Sequence, residues 1–387
     1  MNLSPKAFPP TPLPALDAAA ALAELAAASA TVAANLAGDE LRFTALRARL
    51  ERGEAVVAEG ALDLMAEGFG FLRSPADDFA AGAADPYVNV AQVRALNLKP
   101  GQWLRGPLRP PRGGEKFLAL AHVDAANGAS PTRLAFAART PVLAHAPLAL
   151  PAEEPWRTLA VLAPWRRGHR VQVVAADDAP RATWLTALAR ALTAANPGLR
   201  VLVCLLDQSP EDLAASKRAL ADVAETVGST FDAGAERHVA LAELALARCQ
   251  REVEAGHDVA LLADSLTTLT LAAQRSMACS GRWLAPGLDA QAVLPGKRLF
   301  AAARVCAEGG SLTVVATTFA TAGDPLRAAI HGEFDGRGNS AVAIAGDGRG
   351  GIHVLASACR TRPEDDGRSD AERAAADALR ARATPTA

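Results

Sequence analysis

The second half of the chain alternates apolar runs with helical stretches, and this alternation limits the possible folds more than any other feature. Strands are predicted at VQVVAA (171–176), VLVCLLD (201–207), DVALLADS (258–265) and SLTVVATT (311–318). Helices are predicted at 182–194, 211–227 and 241–255. Apolar strands separated by helices are typical of parallel sheets that are covered on both faces. Residues 156–365 are therefore predicted to form an α/β domain with a mostly parallel sheet.

The first half of the chain has a different residue pattern. Residues 1–54 are predicted to be a proline-rich leader and a small helical domain, with an alanine-rich helix at 16–36 and a second helix that begins at Asp39. Residues 55–124 hold short alternating runs separated by glycine, proline and aspartate, which indicates a small β-barrel. Residues 125–155 are predicted to be a linker, and residues 366–387 a charged tail.

Composition narrows the functional classes. The formal net charge is −2 and 21% of the residues are charged, so neither a disordered chain nor a basic coat for nucleic acid is indicated. The start lacks a signal-peptide pattern and no apolar run reaches about 18 residues, so we expect a cytoplasmic protein with no membrane contact. The five cysteines are widely spaced, which predicts buried core residues and no metal site.

The segment EGFGFLRS (67–74) is the strongest sign of function in the β unit. Phe69 and Phe71 are two residues apart, so on a strand both rings point to one face. Such a pair can stack on the bases of single-stranded nucleic acid, with Arg73 placed to reach a phosphate or a base. The glycines are expected to keep the surface low enough for bases to approach. The alternative is that the rings only fill a small barrel.

From Val57 to about Pro363, the chain resembles the bacterial transcription termination factor Rho family. The similar segments include EGFGFLRS, DPYVNVAQVRALNLKPGQ, LRPPRGGEKF, LLADSLTTL, SGRWLAPGLDA and EGGSLTVVAT. The resemblance implies an OB-fold (cold-shock-like) barrel at 55–124 and a RecA-like core at 156–365. It also implies a ring-forming, RNA-dependent ATPase and helicase.

The resemblance further implies ligands and contact residues. The primary RNA site would use Phe69, Phe71, Arg73, Tyr87, Glu115, Lys116 and Phe117. The loop from Ser280 to Ala290 would face a central channel, with Arg282 in the place of the family's lysine. The implied partners are pyrimidine-rich single-stranded RNA, further copies of the chain or an active Rho protein in a mixed ring, and RNA polymerase.

The phosphate loop implied by the resemblance is altered throughout. A working loop reads GxxxxGK[ST], whereas this chain has AADDAPRA at 175–182. Pro180 has no N–H to offer a phosphate, Arg181 replaces the lysine, and Ala182 lacks the hydroxyl that binds Mg²⁺. Asp177 and Asp178 bring carboxylates that would repel a triphosphate. The degenerate loop comprises Asp178, Ala179, Pro180, Arg181, Ala182 and Thr183.

The catalytic positions survive only as remnants. Gln208 stands where the family has the glutamate that positions the attacking water, and an amide cannot act as a base. Asp264 matches the aspartate that binds Mg²⁺, or it is an ordinary aspartate at a strand end. Arg362 matches the family's arginine finger, which acts on the neighbouring subunit's nucleotide.

Three functions follow from these observations. The leading hypothesis is an RNA-binding Rho relative that takes part in or modulates transcription termination, with impaired ATP binding and hydrolysis and therefore no cofactor. The alternative is an active RNA-dependent ATPase that uses ATP and Mg²⁺ through an atypical loop. The third is an assembly partner that does not bind RNA.

Overall fold

A computed structural model describes residues 38–127, 134–176, 179–319, 323–348 and 351–383. The predicted leader and the helix predicted at 16–36 lie outside the described residues, as do Asp177 and Asp178. The described chain divides into two compact units, one with residues 38–127 and one with residues 134–383.

The first unit is a closed five-stranded barrel with helices packed against it. Its elements are α1 (Gly38–Glu51), β1 (Val57–Leu64), β2 (Gly70–Arg73), β3 (Tyr87–Val88), α2 (Val90–Ala95), β4 (Trp103–Arg109), β5 (Ala119–Leu120) and β6 (Ala125–Ala126). The strands follow the order β1-β2-β3-β5-β4, and β4 pairs with β1 to close the barrel. This is the predicted OB-type architecture.

Helix α1 shares its hydrophobic core with this barrel. Leu41, Ala45 and Leu46 on one face of the helix are buried in the same cluster as Leu62 and Leu104 of β1 and β4. Acidic residues in the first turn of α1 favour its amino-terminal end, because the helix dipole is positive there.

The second unit is built on a mostly parallel sheet. Its strands are β7 (Pro141–Val142), β8 (Arg170–Ala175), β9 (Arg200–Gln208), β10 (Glu225–Thr230), β11 (Asp258–Asp264), β12 (Trp283–Ala285), β13 (Leu288–Asp289), β14 (Arg304–Cys306), β15 (Ser311–Phe319), β16 (Ser340–Gly346), β17 (Ile352–Val354) and β18 (Arg360–Thr361). The main order is β10-β9-β11-β15-β8-β16-β17, parallel from β10 through β16. Strands β12 and β13 form a separate hairpin.

Helices connect these strands and cover the sheet. They are α3 (Trp156–Leu162), α4 (Arg181–Ala195), α5 (Pro210–Leu220), α6 (Ala235–Glu254), α7 (Leu266–Ser276), α8 (Leu294–Ala301), α9 (Pro325–Phe334) and α10 (Asp370–Ala383). Ser209 and Ser265 cap α5 and α7 through their hydroxyl oxygens, which accept bonds from backbone N–H groups in the first turn. The predicted α/β class with a parallel sheet is confirmed.

One predicted helix is too long. The helix predicted at 211–227 ends at Leu220, and residues 225–230 instead form the edge strand β10. Gly228 explains the close packing of this strand, since a Cβ there would lie 2.3 Å from Leu213 Cδ1 and 2.9 Å from the carbonyl oxygen of Leu205. Strand β16 lies between β8 and β17, a position that the sequence analysis did not identify.

The segments flanking the sheet are held to it. Arg139, in the stretch predicted to be a linker, is buried and donates to the carbonyl oxygens of Val253, Glu254 and Gly309. Helix α10, in the stretch predicted to be a charged tail, contacts α3, and Arg380 donates to the carbonyl oxygen of Leu162.

The structure also bears on the predictions about the cysteines and about membrane-spanning helices. Four cysteines are buried as predicted, whereas Cys279 is exposed, because it lies in the loop before the β12–β13 hairpin. Among the helices in the described residues, none has the length and apolar character needed to span a membrane.

Candidate functional sites

Four aromatic rings lie together on the surface of the barrel. The ring centroids of Phe69 and Phe71 are 5.8 Å apart, and Tyr87 lies 5.5 Å from Phe69. Phe117 extends the group, with its centroid 5.0 Å from that of Phe71 and 37% of its surface exposed. We call Phe69, Phe71, Tyr87 and Phe117 the aromatic platform. It brings together residues from the β1–β2 turn, β2, β3 and the loop before β5.

The two glycines of the GFGF segment are each required by the backbone or the packing of the barrel. Gly68 lies in the β1–β2 turn with φ at +91°, a conformation that favours glycine. Gly70 is buried, and a Cβ there would lie 2.6 Å from Leu62 Cδ1 and 2.7 Å from the carbonyl oxygen of Asp63. Turn geometry and close packing therefore account for both glycines.

Arg73 is buried and lies beneath the platform. The sequence had predicted that its side chain reaches outward to a phosphate or a base. Its guanidinium forms ion pairs with Asp63 and Asp85, and its central carbon lies 5.0 Å from the centre of the Phe71 ring. Asp85 also accepts a hydrogen bond from the backbone N–H of Gly82 at 2.6 Å. Burial raises the pKa of Asp85 to about 6, although Arg73 opposes this shift. Sequence reasoning missed Asp85, and its only signal is its position two residues before Tyr87.

An exposed ion pair borders the platform. Arg109 donates to both carboxyl oxygens of Glu115, at 2.6 and 2.8 Å, and the backbone N–H of Arg112 donates to the same carboxylate at 2.8 Å. These bonds lower the pKa of Glu115 to about 2. Lys116 is exposed beside Phe117, so its ammonium is free to meet a phosphate.

Arg282 lies in the other unit, on the loop that leads into the β12–β13 hairpin. It is exposed, next to Trp283, which has 56% of its surface exposed. Asp289 stabilises the loop, because its carboxylate accepts hydrogen bonds from the backbone N–H and the hydroxyl of Ser280, both at 2.7 Å.

Two of the three predicted remnants of a nucleotide site, Gln208 and Asp264, lie together at the carboxyl ends of β9 and β11, beside Thr317 of β15. Asp264 is 1% exposed, and its Oδ1 accepts from Arg181 Nε at 3.0 Å and from Thr317 Oγ1 at 2.5 Å. Its Oδ2 accepts from Gln208 Nε2 at 3.2 Å. Both oxygens of Asp264 are thus already bonded to side chains of the same chain.

Arg181 fills the space in front of this aspartate. Its guanidinium carbon lies 4.1 Å from the centre of the Phe319 ring, and Arg327 lies on the same ring at 5.3 Å. Ala182 and Thr183 follow in the first turn of α4, with Ala182 partly buried and Thr183 exposed. A cation at a helix amino terminus is unfavourable, so the ion pair with Asp264 offsets a local cost.

These residues do not fit a nucleotide with its Mg²⁺. The guanidinium of Arg181 stands where Asp264 would bind the ion, and Ala182 supplies no hydroxyl ligand. Pro180 has no N–H for a phosphate, while Ala179 is buried. Sequence reasoning found each altered residue but missed the pairing with Asp264, Thr317 and Phe319.

Arg362 lies apart from this edge, on the far side of β16. Its guanidinium donates to the carbonyl oxygen of Gly336, and its backbone N–H donates to the carbonyl oxygen of Asn339 at 2.9 Å.

Residues 58–132 match the family model described as Rho termination factor, RNA-binding domain. The chain is 37% identical over 334 residues to transcription termination factor Rho of Chromobacterium violaceum, covering 84% of this chain and 79% of that protein. The chain belongs to the transcription termination factor Rho family. The Rho proteins of Haemophilus influenzae and Pseudomonas aeruginosa are each 35% identical to it, with 81% and 79% of this chain and 76% and 75% of theirs covered.

Two solved structures are similar in fold to this chain. An ATPase of a type III secretion system superposes with a TM-score of 0.52 at 17% identity, over 70% of this chain and 77% of that one. An ATP synthase subunit from Nanoarcheaum equitans superposes with a TM-score of 0.50 at 13% identity, over 62% of each chain. At these identities the likeness bears on the fold alone.

Proposed function

We propose that this Rho-family protein binds single-stranded RNA and takes part in or modulates transcription termination, without binding or hydrolysing ATP. The observation that carries this proposal is the contrast between its two sites. The aromatic platform is assembled and partly exposed, whereas Asp264 is bonded to Arg181 at the carboxyl ends of the strands, which we call the nucleotide edge.

The platform supports RNA as the ligand. The rings lie 5 to 6 Å apart and are partly exposed, so the platform offers aromatic surface for stacking on bases, and every base has a face to offer. Lys116 adds a cation for the backbone, whereas Arg73 acts from below by holding Phe71. The preference for pyrimidines that the family resemblance implies is part of the proposal.

The contacts at the nucleotide edge support the proposal that the chain neither binds nor hydrolyses ATP. A triphosphate with Mg²⁺ would have to displace Arg181 from a carboxylate that is almost fully buried. Mg²⁺ would have to replace that guanidinium beside Asp264 without the hydroxyl ligand that a working loop supplies, because position 182 is alanine. Gln208 would still lack the basicity to activate water.

Family membership supports an assembly role. The proposed partners are further copies of this chain or an active Rho protein in a mixed ring, with RNA polymerase reached through the transcript. Competition for the same transcripts is the simplest way in which an RNA-binding relative without ATP turnover could modulate termination.

A termination assay tests this proposal. An active Rho protein is given a template with a Rho-dependent terminator, and purified full-length chain is added in increasing amounts. We expect the termination efficiency to change with dose, and the double variant Phe69→Ala, Phe71→Ala to have no effect. An unchanged efficiency at saturating RNA-binding concentrations would refute a role in termination.

A further inference from the structure

The loop between β4 and β5 carries Phe117, one of the four rings of the aromatic platform. Its base is fixed by strand pairing, because Arg109 at the end of β4 lies opposite Ala119 of β5, and Ala119 also pairs with Tyr87 of β3. The ring centroid of Phe117 lies 5.0 Å from that of Phe71. The loop therefore lies at the rim of the platform.

Within this loop the carboxylate of Glu115 is fixed by hydrogen bonds. Arg109 Nη1 donates to Oε2 at 2.6 Å and Nη2 donates to Oε1 at 2.8 Å, so one guanidinium contacts both oxygens. The backbone N–H of Arg112 donates to Oε2 at 2.8 Å, and the backbone N–H of Glu115 donates to the carbonyl oxygen of Arg112 at 2.8 Å. Gly114, with φ at +88°, permits the turn between them. The carboxylate is thus attached both to the end of β4 and to its own loop.

This arrangement holds an ionised hydrogen-bond acceptor at the surface. The side chain of Glu115 has 38% of its surface exposed. Hydrogen bonds from Arg109, and then from the backbone of Arg112, lower the pKa of Glu115 to about 2, so the group is ionised at neutral pH. An ionised carboxylate only accepts hydrogen bonds, and each of its oxygens has two lone pairs. Among the described residues, Oε1 accepts from Arg109 alone, which leaves it one lone pair for a ligand.

The pyrimidine bases differ in what they offer such an acceptor. Cytosine carries an amino group that donates, whereas uracil carries at the same ring position a carbonyl oxygen that only accepts. A fixed carboxylate beside a stacked base attracts the first and repels the second. A mobile carboxylate discriminates less, because it can turn away from the uracil oxygen and has to give up conformational freedom to meet the cytosine amine.

We infer that Arg109 is a positioning residue of the aromatic platform: it holds Glu115 at the rim, where Glu115 Oε1 accepts a hydrogen bond from the amino group of a base stacked on the rings. Arg109 acts through the carboxylate and does not itself have to touch the RNA. Sequence reasoning named Glu115 but missed Arg109, which lies six residues earlier, at the end of a strand. This role rests on the proposed RNA-binding function and adds a residue that sets the choice between bases.

The ratio of the affinities for two RNAs measures this role. Cytidine and uridine oligonucleotides of equal length are bound to the full-length chain, and fluorescence anisotropy at one salt concentration gives both dissociation constants. We expect the wild type to favour cytidine and Arg109→Gln to lower that preference by about five-fold or more, since a well-placed base contact discriminates by at least this factor. The lost positive charge weakens the binding of both RNAs alike, so the ratio isolates the positioning effect.

Arg105→Gln is the matched control. Arg105 is exposed on the same strand as Arg109 and lies opposite Glu59 of β1. Its replacement removes the same charge and should keep the wild-type ratio. Arg109→Lys keeps the charge but not the planar fork, so it should bind the uridine oligonucleotide as the wild type does and still lose cytidine preference.

A double-mutant cycle shows whether Arg109 acts through Glu115. Glu115→Gln should itself lower the cytidine preference, because an amide can turn its N–H groups to the uracil oxygen, and Arg109→Gln should lower it no further in that background. Additive effects on the ratio, an unchanged ratio in Arg109→Gln, or a wild type without preference would overturn the inference. RNA binding that is lost in the double variant Phe69→Ala, Phe71→Ala would uphold the proposed function even then, whereas a wild type that binds neither RNA would refute both.

Discussion

Two arginines, Arg73 and Arg181, adopt the same arrangement in the two units. Each guanidinium lies over a phenylalanine ring, at 5.0 Å for Arg73 and 4.1 Å for Arg181. Each also pairs with a carboxylate that is almost fully buried, Asp85 or Asp264. Their surroundings differ, because Arg73 lies next to the partly exposed platform, whereas Arg181 lies against buried Asp264 at the carboxyl ends of the strands.

Neither contact was readable from the sequence. The residue types at Phe69, Phe71 and Arg181 are enough to propose a stacking surface and a damaged phosphate loop. Arg181 and Asp264 are 83 residues apart in the chain, however, and only the parallel order of the strands brings them together. Arg73 was expected to point outward, and it does not because Asp63 and Asp85 hold it inside.

The first prediction concerns the aromatic platform. The double variant Phe69→Ala, Phe71→Ala should lose RNA affinity by roughly 30-fold or more, since stacking contributes about 1–3 kcal/mol per base. Fluorescence anisotropy with a labelled cytidine oligonucleotide at fixed salt measures this loss. Phe231→Ala is the control, because Phe231 is 65% exposed and lies outside the platform. Equal effects of the two changes would remove the platform from RNA binding.

The second prediction concerns the ion pair at the nucleotide edge. Arg181→Ala should lower the free energy of unfolding by about 3 kcal/mol, because it leaves the buried charge of Asp264 without its cation. Arg327→Ala is the matched control, since this arginine lies on the same Phe319 ring but pairs with exposed Asp324. Urea denaturation measures both variants. A loss no larger than that of the control would show that the pair is not a structural contact.

At the scale of elements, α6 carries an unusual buried ion cluster against the sheet edge. Glu252 pairs with Arg248 from its own helix and with Arg200 of β9, while Arg248 Nε lies 3.8 Å from Glu225 Oε2 in β10. In the described part of the chain, neither carboxyl oxygen of Glu225 accepts a hydrogen bond. Burial therefore raises the pKa of Glu225 to about 7, although Arg248 opposes this shift.

The third prediction follows from this cluster. The pKa of Glu225 is raised on folding from 4.5, so the folded protein holds a proton that the unfolded chain releases between about pH 4.5 and 7. The stability contributed by Glu225 should be complete below pH 4.5 and lost as the pH rises through 7, by at most about 1.4 kcal/mol per pH unit. Melting temperatures from pH 4.5 to 8 should show this slope in the wild type and lack it in Glu225→Gln.

The control is Glu243→Gln, an exposed residue on the same helix. It should keep the wild-type slope. A slope that persists in Glu225→Gln would place the titrating group elsewhere.

Element boundaries were predictable where periodicity was strong. Strands β8, β9, β11 and β15 lie within a residue or two of their predicted positions, because each is a long apolar run. The predicted helix included residues 225–227, because residues 211–224 before them are rich in alanine and hold no glycine or proline. Packing at the sheet edge, through Gly228, decides the outcome in favour of a strand.

At the scale of the whole molecule, we propose that ligand binding and energy conversion are separated. The barrel unit carries the aromatic platform and Lys116, and in the sheet unit Asp264 is bonded to Arg181, Gln208 and Thr317 of the same chain. Membership of the Rho family makes both units recognisable from the sequence. The state of the nucleotide edge depends on contacts that only the folded chain creates.

Nucleotide binding and hydrolysis by the purified chain, with and without poly-cytidine RNA, test the central claim most directly. RNA binding is measured in the same buffer at the same salt concentration. We expect RNA to bind while ATP with Mg²⁺ shows no saturable binding in the micromolar range and no turnover above the protein-free rate. Micromolar ATP affinity, or turnover that RNA stimulates and Asp264→Ala abolishes, would contradict the account and identify an active ATPase.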